Sequence, residues 1–182
     1  MSYFYKNFNT IRNSLVLLSW VPVVMTFGNH VYQPCLIKGR SMTPTLNPGI
    51  HNKSSDIVVV QKYNLKKPDS FSRGDIVMFR SPQDPGKLLT KRVVGIQGDV
   101  VAPKSPPYPR LDAIVPRNHF WVEGDNTFHS IDSNNFGPIS QALVVGKVVM
   151  VVWPLSRFGF NISRGGRDAR KPSQYEERSI KS

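Results

Sequence analysis

The stretch Leu88-Leu89-Thr90-Lys91-Arg92-Val93-Val94-Gly95-Ile96 points most directly to the fold class of this chain. It is short, rich in β-branched and other apolar residues, and flanked by the turn formers Gly86 and Gly98, a pattern that predicts a β-strand. Successive side chains of a strand point to opposite faces, so Lys91 and Arg92 would leave the strand on different sides. Unless both side chains extend to solvent, one of these charged residues lies where an apolar residue is expected.

Five further runs have the same character and lie between clusters of Pro, Gly, Asn and Asp. Their β-branched content and short spacing favour the strands of a sandwich or a partly open barrel. Residues 102–116 contain five prolines, which predicts an extended loop that cannot join the interior of a sheet. We therefore predict a mainly β protein. The five runs are Ile57–Gln61, Ile76–Arg80, Val100–Ala102, Phe120–Glu123 and Leu143–Trp153.

The N-terminal region has a different character. No charged residue lies between Arg12 and Lys38, counting histidine as neutral, and Leu15–Phe27 is strongly apolar. About 20 apolar residues span a bilayer, so this centre is short, whereas the full uncharged stretch is long enough. A cleavable secretory signal is the alternative, but no small-x-small site follows the apolar centre. We expect a retained transmembrane helix, and the predicted regions are an N-terminal segment 1–12, an anchor 13–34, a β domain 35–158 and a basic tail 159–182.

The distribution of charge limits the function. No acidic residue precedes Asp56, and the basic Lys6 and Arg12 lie among polar and aromatic residues, which suits mitochondrial targeting and a matrix-side N-terminus. The formal net charge of +12 is spread along the chain without a zinc-finger, RNP or Gly-x-x-Gly pattern, so we expect no nucleic-acid partner. The basic tail is expected to be solvated or to face membrane lipid. The single Cys35 excludes an internal disulfide, and we expect no metal site.

Two segments carry candidate catalytic chemistry. Ser41 follows a flexible glycine in Gly39-Arg40-Ser41-Met42-Thr43-Pro44, so a substrate strand could approach closely with the Ser41 amide free for an oxyanion. A Gly-x-Ser sequence alone is more often only a turn. A serine hydroxyl becomes nucleophilic when a neighbour removes its proton, and a lysine serves if burial keeps it neutral. Lys91 is the candidate, and the pair is a hypothetical Ser/Lys dyad.

A third segment, Glu123–Gly137, is dense in turn formers beside a predicted strand. It is expected to form a structured loop in which Ser130 and Asp132 are able to hydrogen-bond a neighbouring amine or guanidinium. A fourth segment, Ser72–Val77, predicts a turn that enters a strand. Its Arg73 and Asp75 are expected to pair locally.

These four segments, in this order, resemble the signal peptidase family, which comprises bacterial type I leader peptidases and their organellar relatives. Within the family, the acid-free N-terminus, the compact size and the run Trp121–Asn126 are most similar to the mitochondrial inner membrane proteases of the subunit 2 type. The resemblance rests on Ser-Met-x-Pro-Thr-Leu at Ser41–Leu46, Arg-Gly-Asp-Ile-Val at Arg73–Val77, Lys-Arg-Val with Gly-Asp at Lys91–Asp99, and Gly-Asp-Asn with Ser-x-Asp-Ser at Gly124–Ser133.

The resemblance implies a mostly antiparallel β fold and a role for each matching residue. Ser41 would be the nucleophile, and Lys91 the general base that later protonates the leaving amine. Ser130 would orient the lysine, and Asp132 would pair with Arg92. Three further residues are expected to shape the site without reacting: Asp99, Asp125 and Asn126.

Two positions depart from the family pattern. Gly39 stands where many bacterial relatives carry a serine or threonine whose hydroxyl supports the oxyanion, so the oxyanion hole would rely on backbone amides, chiefly that of Ser41. Asn134 stands where an arginine is frequent, so a smaller charge network is expected around Asp132.

The resemblance also implies small side chains at the first and third substrate positions before the bond that is cut. An extended substrate strand points these two side chains into the same wall of the site. The candidates for that wall are Met42, Pro44, Ile57 and Val59.

The leading hypothesis is a membrane-bound serine endopeptidase that removes sorting signals from proteins delivered to the mitochondrial intermembrane space, towards which its catalytic domain faces. The resemblance implies a related protease subunit as heterodimer partner, precursor polypeptides as substrates, and no cofactor. Because ER-type signal peptidases replace the lysine with histidine, the retained Lys91 argues against an ER enzyme.

Three alternatives stay open. A histidine and an aspartate, such as His119 or His129 with Asp99 or Asp125, could activate Ser41 in place of the lysine. The chain could instead be a catalytically inactive scaffold that stabilises a partner protease, because a fold can outlive its chemistry. Membrane-surface binding without catalysis would explain only the positive charge.

Overall fold

The computed structural model describes residues 2–48, 55–67, 70–104, 112–159 and 162, with the backbone alone for residues 2–12. Two α-helices and nine strands follow one another, with short 3-10 turns at Thr127–His129, Gln141–Leu143 and Leu155–Arg157. The helices are α1 (Ser2–His30) and α2 (Ser133–Phe136). The strands are β1 (Tyr32–Leu36), β2 (Ile57–Gln61), β3 (Ile76–Arg80), β4 (Leu88–Gly95), β5 (Val100–Val101), β6 (Ala113–Ile114), β7 (His119–Glu123), β8 (Ile139–Ser140) and β9 (Val144–Trp153).

The main sheet contains seven strands in the order β1-β2-β9-β3-β4-β7-β8, and every pairing is antiparallel. The predicted mainly β, antiparallel fold is confirmed, and all six predicted runs contain strands. Three strands were not predicted. β1 begins inside the expected anchor and runs past its end to Leu36, β8 has only two residues, and β6 lies in the proline-rich loop, where it pairs with β5 in a separate two-stranded sheet.

Helix α1 differs from the predicted anchor at both ends, because it begins at Ser2 and because the chain turns after His30 to pair β1 with β2. The apolar side chains of Leu15–Phe27 are exposed around the helix. In the part of the chain that the structure describes, no helix combines the length and the apolarity that crossing a membrane requires.

The core lies on both faces of the sheet. Ile76 and Met78 of β3 pack into one apolar cluster, and the alternate residues Val77 and Phe79 pack into another. Burying such a side chain fully contributes about 1.5–3 kcal/mol, so both layers stabilise the same strand. The central strands therefore provide a rigid base for the side chains that they carry.

The sheet leaves two strand edges open beside each other. β1 is the last strand at one edge of the sheet. Residues 88–91 of β4 pair with β3 on one side, whereas pairing with β7 begins only at Arg92. Both segments line one cleft. The fold is therefore a barrel-like sheet with a gap between β1 and the first half of β4.

Candidate active site

Ser41 lies in a turn that follows β1 and is held by a buried asparagine. The Asn47 side-chain amide donates to the carbonyls of Ile37 (2.8 Å) and Gly39 (3.1 Å). Its Oδ1 accepts a hydrogen bond from the backbone N–H of Asp56 (2.7 Å). These bonds fix both ends of the turn, so the position of Ser41 is determined by groups outside the motif that first identified it.

Asp56 extends this support to Arg157, in the segment that follows the last strand. Its carboxylate accepts from the backbone N–H of Asn47 (2.9 Å) and forms an ion pair with Arg157, whose guanidinium also donates to the carbonyl of Thr45. No local pattern joins these residues, because Arg157 lies 101 positions beyond Asp56. An Asn-Pro-Gly run such as that at residues 47–49 is typical of a turn, but it does not indicate which groups Asn47 binds.

Lys91 is buried within β4, with only 2% of its surface exposed. Its Nζ donates to Ser130 Oγ at 3.0 Å, and the Ser130 hydroxyl donates to Asp132 Oδ2 at 2.6 Å. Burial lowers the pKa of Lys91 to about 8, although the carboxylates of Asp132 and Asp125 act in the opposite direction. The alternative in which this lysine extends to solvent is therefore wrong, and a useful fraction of the amine is neutral near physiological pH.

The turn of Ser41 and the Lys91–Ser130 pair converge at Gly124. A Cβ placed on Gly124 would lie 2.3 Å from Ser130 Oγ and 2.5 Å from the Ser41 carbonyl oxygen. That carbonyl oxygen accepts a hydrogen bond from the backbone N–H of Asn126 at 3.0 Å. Only glycine fits at this junction, and sequence alone did not indicate that requirement. Within the described residues, the Lys91 amine hydrogen-bonds Ser130 rather than Ser41.

The expected ion pair between Arg92 and Asp132 is wrong. Arg92 instead pairs with Asp125 through two hydrogen bonds of 2.8 and 2.6 Å, and both side chains are almost fully buried. Asp132 caps the N-terminus of α2 and accepts from the Gly124 amide (2.9 Å) and from the Asn134 side chain (2.8 Å). Its oxygens are therefore occupied by Ser130 and by backbone and amide donors.

The local pair expected between Arg73 and Asp75 is also wrong. Arg73 reaches Asp99, with Nε 2.7 Å from Oδ2, and Asp75 pairs with Lys147 at 2.7 Å. The salt bridge therefore joins Asp99, which comes directly before β5, to Arg73, which comes shortly before β3. Asp75 is nearer to Arg73 in the sequence, but the fold brings the carboxylate of Asp99 closer to the Arg73 guanidinium.

The geometry does not support a histidine-based site. The two carboxylates weighed for it, Asp99 and Asp125, are paired with arginines. The Nδ1 atom of His119 is hydrogen-bonded to the Arg117 carbonyl oxygen. In the ranges that the structure covers, no group of histidine, cysteine and carboxylate side chains is arranged to hold a metal ion.

Ser41 opens into a cleft of about 490 Å³. Its walls are residues 34–39, from β1 and the following turn, and residues 88–90 of β4, together with Met42 and Met78. Of the four residues expected to bind substrate, Met42 alone contributes to the lining. Pro44 is exposed outside the cleft, and Ile57 and Val59 lie on β2 behind β1. The sequence analysis missed this wall because it placed the start of β1 in the anchor and predicted no strand between the anchor and Ser41.

Comparison with known proteins identifies the family of this chain. A family model described as signal peptidase, peptidase S26, matches residues 10–107 and 103–153. The chain belongs to the signal peptidase family. The resemblance drawn from the motifs is confirmed, and this signal peptidase family member is a peptidase.

Three relatives place it further within the signal peptidase family. It is 48% identical over 159 residues to mitochondrial inner membrane protease subunit 2 of Saccharomyces cerevisiae, covering 87% of this chain and 89% of the relative. The same subunit of Mus musculus is 39% identical, with 76% and 77% coverage. Mitochondrial inner membrane protease subunit 1 of Homo sapiens is 42% identical, with 69% and 72% coverage.

Proposed function

We propose that this chain is a serine endopeptidase that removes sorting signals from proteins delivered to the mitochondrial intermembrane space, with Ser41 as nucleophile and Lys91 as general base. The observation that carries the proposal is the buried Lys91 amine, whose pKa is about 8 and which Ser130 holds beside the turn of Ser41. At neutral pH about a tenth of such an amine is uncharged, compared with less than a thousandth of a solvated lysine.

In the first half of the reaction, Lys91 accepts the proton of the Ser41 hydroxyl while the serine oxygen attacks the scissile carbonyl carbon. The carbonyl π electrons move to oxygen, and the backbone N–H of Ser41 is the candidate donor to that oxyanion. When the intermediate collapses, the C–N bond breaks and the Lys91 ammonium protonates the leaving amine. The product is an acyl-enzyme on Ser41 with the lysine again neutral.

In the second half, water attacks the acyl carbon and gives its proton to Lys91. Collapse breaks the bond to the serine oxygen, which recovers the proton from the lysine. Ser130 supports both halves, because its hydroxyl bridges the Lys91 amine and the Asp132 carboxylate. This bridge restricts the directions in which the amine can point.

The substrate would bind as an added strand. The edge of β1 and the first half of β4 both border the cleft, and their backbone groups on that side have no strand partner within the described residues. An extended segment between them would form main-chain hydrogen bonds and close the gap in the sheet. Alternate side chains would then face the wall that contains Met42, and membership of the family implies that these side chains are small.

The names of the relatives support the proposed location and partner. Their names refer to subunits of a mitochondrial inner membrane protease, so a related subunit is the proposed heterodimer partner. The exposed apolar side chains of Leu15–Phe27 support attachment through α1, in a single pass with the β domain facing the intermembrane space. An apolar helix that does not pack against its own domain lowers its free energy by entering lipid.

The proposal is tested by cleavage of a presequence-bearing intermembrane-space precursor in membranes that carry wild-type, Ser41→Ala or Lys91→Met protein. The cleavage rate of each variant should be at least about a thousandfold lower than that of the wild type, because each variant lacks a group that acts in every turnover. The partner subunit is quantified in each membrane preparation, and Lys87→Met serves as a lysine control outside the site.

Unchanged cleavage in both variants would contradict the proposal and would support the inactive scaffold. Loss of cleavage with simultaneous loss of the partner subunit would also support a scaffold role. If Lys91→Met kept its cleavage activity and Ser41→Ala lost it, Ser41 would remain the proposed nucleophile, but Lys91 could not be the base.

A further inference from the structure

Residues 62–67, here called the lysine loop, lie against the end of α1. The backbone N–H of Lys62 donates to the Val31 carbonyl at 2.9 Å, one residue after the helix ends. The rings of Tyr63 and Tyr32 pack edge to face with centroids 5.4 Å apart, and their hydroxyl oxygens are 3.0 Å apart. The Tyr32 ring also lies 6.0 Å from the ring of Phe27 in α1. The loop is therefore joined to the helix where the helix meets the β domain.

The backbone of the lysine loop is held from the protein side. Two side-chain amides and one hydroxyl donate to four of its carbonyls, so the loop has a defined shape. Gln61 reaches the carbonyl of Tyr63, Ser70 reaches that of Asn64, and Gln141 reaches those of Leu65 and Lys67.

Among the residues that the structure describes, the three lysines of the loop share one cavity and have no acidic partner. Lys62, Lys66 and Lys67 line a cavity of about 860 Å³, and the described residues of its lining include no Asp or Glu. Within the described residues, none of the three forms an ion pair. In contrast, salt bridges engage Lys87, Lys104 and Lys147. Like charges that face one cavity repel one another, so the complement of this surface is an anion.

We propose that the lysine loop is a docking surface for the anionic phospholipid headgroups of the membrane that holds α1. This inference rests on the proposed function for one point only, the membrane attachment of α1. Lipid is favoured over a soluble anion because the loop contacts the residue that follows the helix, which lies at the membrane surface when the helix is inserted. Tyr32 and Tyr63 then lie at headgroup depth, where amphipathic rings concentrate. Each lysine contributes about fivefold to partition onto an anionic surface.

The test uses the full chain with Ser41→Ala, reconstituted into vesicles of phosphatidylcholine alone or mixed with phosphatidylglycerol. Acetylation of each lysine is followed by mass spectrometry. We expect the three loop lysines to react severalfold more slowly in the mixed vesicles and to recover at high salt, whereas Lys87 reacts equally in both. Equal rates in both vesicles would overturn the proposal. Protection by inorganic phosphate in phosphatidylcholine vesicles would also overturn it, in favour of a soluble-anion site.

A charge-matched pair of variants provides a second measurement. One variant carries Lys62→Gln, Lys66→Gln and Lys67→Gln, and the control carries Arg80→Gln, Lys87→Gln and Arg117→Gln. Backbone hydrogen exchange of the loop should slow in mixed vesicles for the control and not for the loop variant. Equal slowing in both would overturn the proposal. Co-flotation with vesicles is checked first, because failure to co-float contradicts the membrane attachment itself, whereas co-flotation with unchanged exchange contradicts only the docking surface.

Discussion

At the scale of single residues, Lys91 is the group on which the chemistry depends. It lies in a strand whose other residues are mostly apolar, and burial favours its neutral form while two nearby carboxylates favour the charged form. The net result is a pKa of about 8, which leaves the amine able both to accept a proton from serine and to return it.

The pKa of Lys91 predicts the pH dependence of catalysis. Because the base must be neutral, kcat/KM should rise about tenfold per pH unit below pH 8 and level off above it. Asp132→Asn removes a carboxylate that favours the ammonium form, so the inflection should move to lower pH. Initial cleavage rates of a short peptide substrate from pH 6 to 10 would check both statements. An inflection near 6.5 that Asp132→Asn leaves unmoved would instead implicate a histidine.

Gly124 is predicted to be intolerant of any side chain. In Gly124→Ala the new methyl group would overlap Ser130 Oγ and the Ser41 carbonyl oxygen, so the lysine and the nucleophile would move apart. We expect kcat to fall by about a hundredfold, since displacement of about 1 Å has this effect. Gly86→Ala is the matched control, because its methyl group would meet only the flexible Asp84 side chain at 3.3 Å. Equal activity of the two variants would show that the junction is not strained by the methyl group.

At the scale of elements, Arg92 joins segments that are distant in the chain. Its guanidinium pairs with Asp125 and donates to the carbonyls of Gly74 (2.8 Å) and Ile162 (2.7 Å). β4 therefore carries the proposed base on one face and, on the other, a cation that fixes the loop of Gly124 and Asp125. Lys91 and Arg92 point to opposite faces of β4, and this arrangement, which seemed unfavourable in the sequence, places the proposed base and the structural cation on one strand.

Arg92→Met is predicted to destabilise the protein by about 3–5 kcal/mol, because it leaves the Asp125 carboxylate buried without its partner. Lys87→Met is the control, since its pair with Asp84 is exposed and contributes less than about 1 kcal/mol. Urea unfolding of both variants would measure the difference. If the free energy of unfolding fell no further in Arg92→Met than in the control, the buried pair would contribute little to stability.

The same elements show what the sequence could predict. The strand runs were found because β-branched residues and turn formers mark them locally, and the motifs led to Ser41, Lys91 and Ser130. The partner of Arg92 could not be predicted, because Asp125 and Asp132 are equally suitable by charge, and Asp132 is engaged by Ser130, by the Gly124 amide and in capping α2. β1 was missed because it lies in the same uncharged stretch as the helix, between Arg12 and Lys38, so no charged residue marks where the helix ends.

At the scale of the whole molecule, the sheet is incomplete at the place where the substrate is proposed to bind. A substrate peptide bound to the Ser41→Ala protein should slow amide hydrogen exchange in residues 35–39 and 88–90, because both segments would gain a strand partner. The amides of β8, at the far edge of the sheet, should be unaffected. Protection confined to other strands would place the substrate elsewhere.

The buried Lys91 should also make the stability of the whole fold depend on pH. Its pKa is about 8 when folded and about 10.4 when unfolded, so below pH 8 the folded state bears the full cost of a buried charge. Between these values the unfolded chain binds a proton that the folded chain does not, and the free energy of unfolding should rise with pH by up to roughly 3 kcal/mol. Lys91→Met should be more stable at pH 7 and lack this rise, whereas Lys87→Met should retain it. Urea unfolding at several pH values would compare the three proteins, and parallel curves for wild type and Lys91→Met would mean that the lysine is solvated in the folded state.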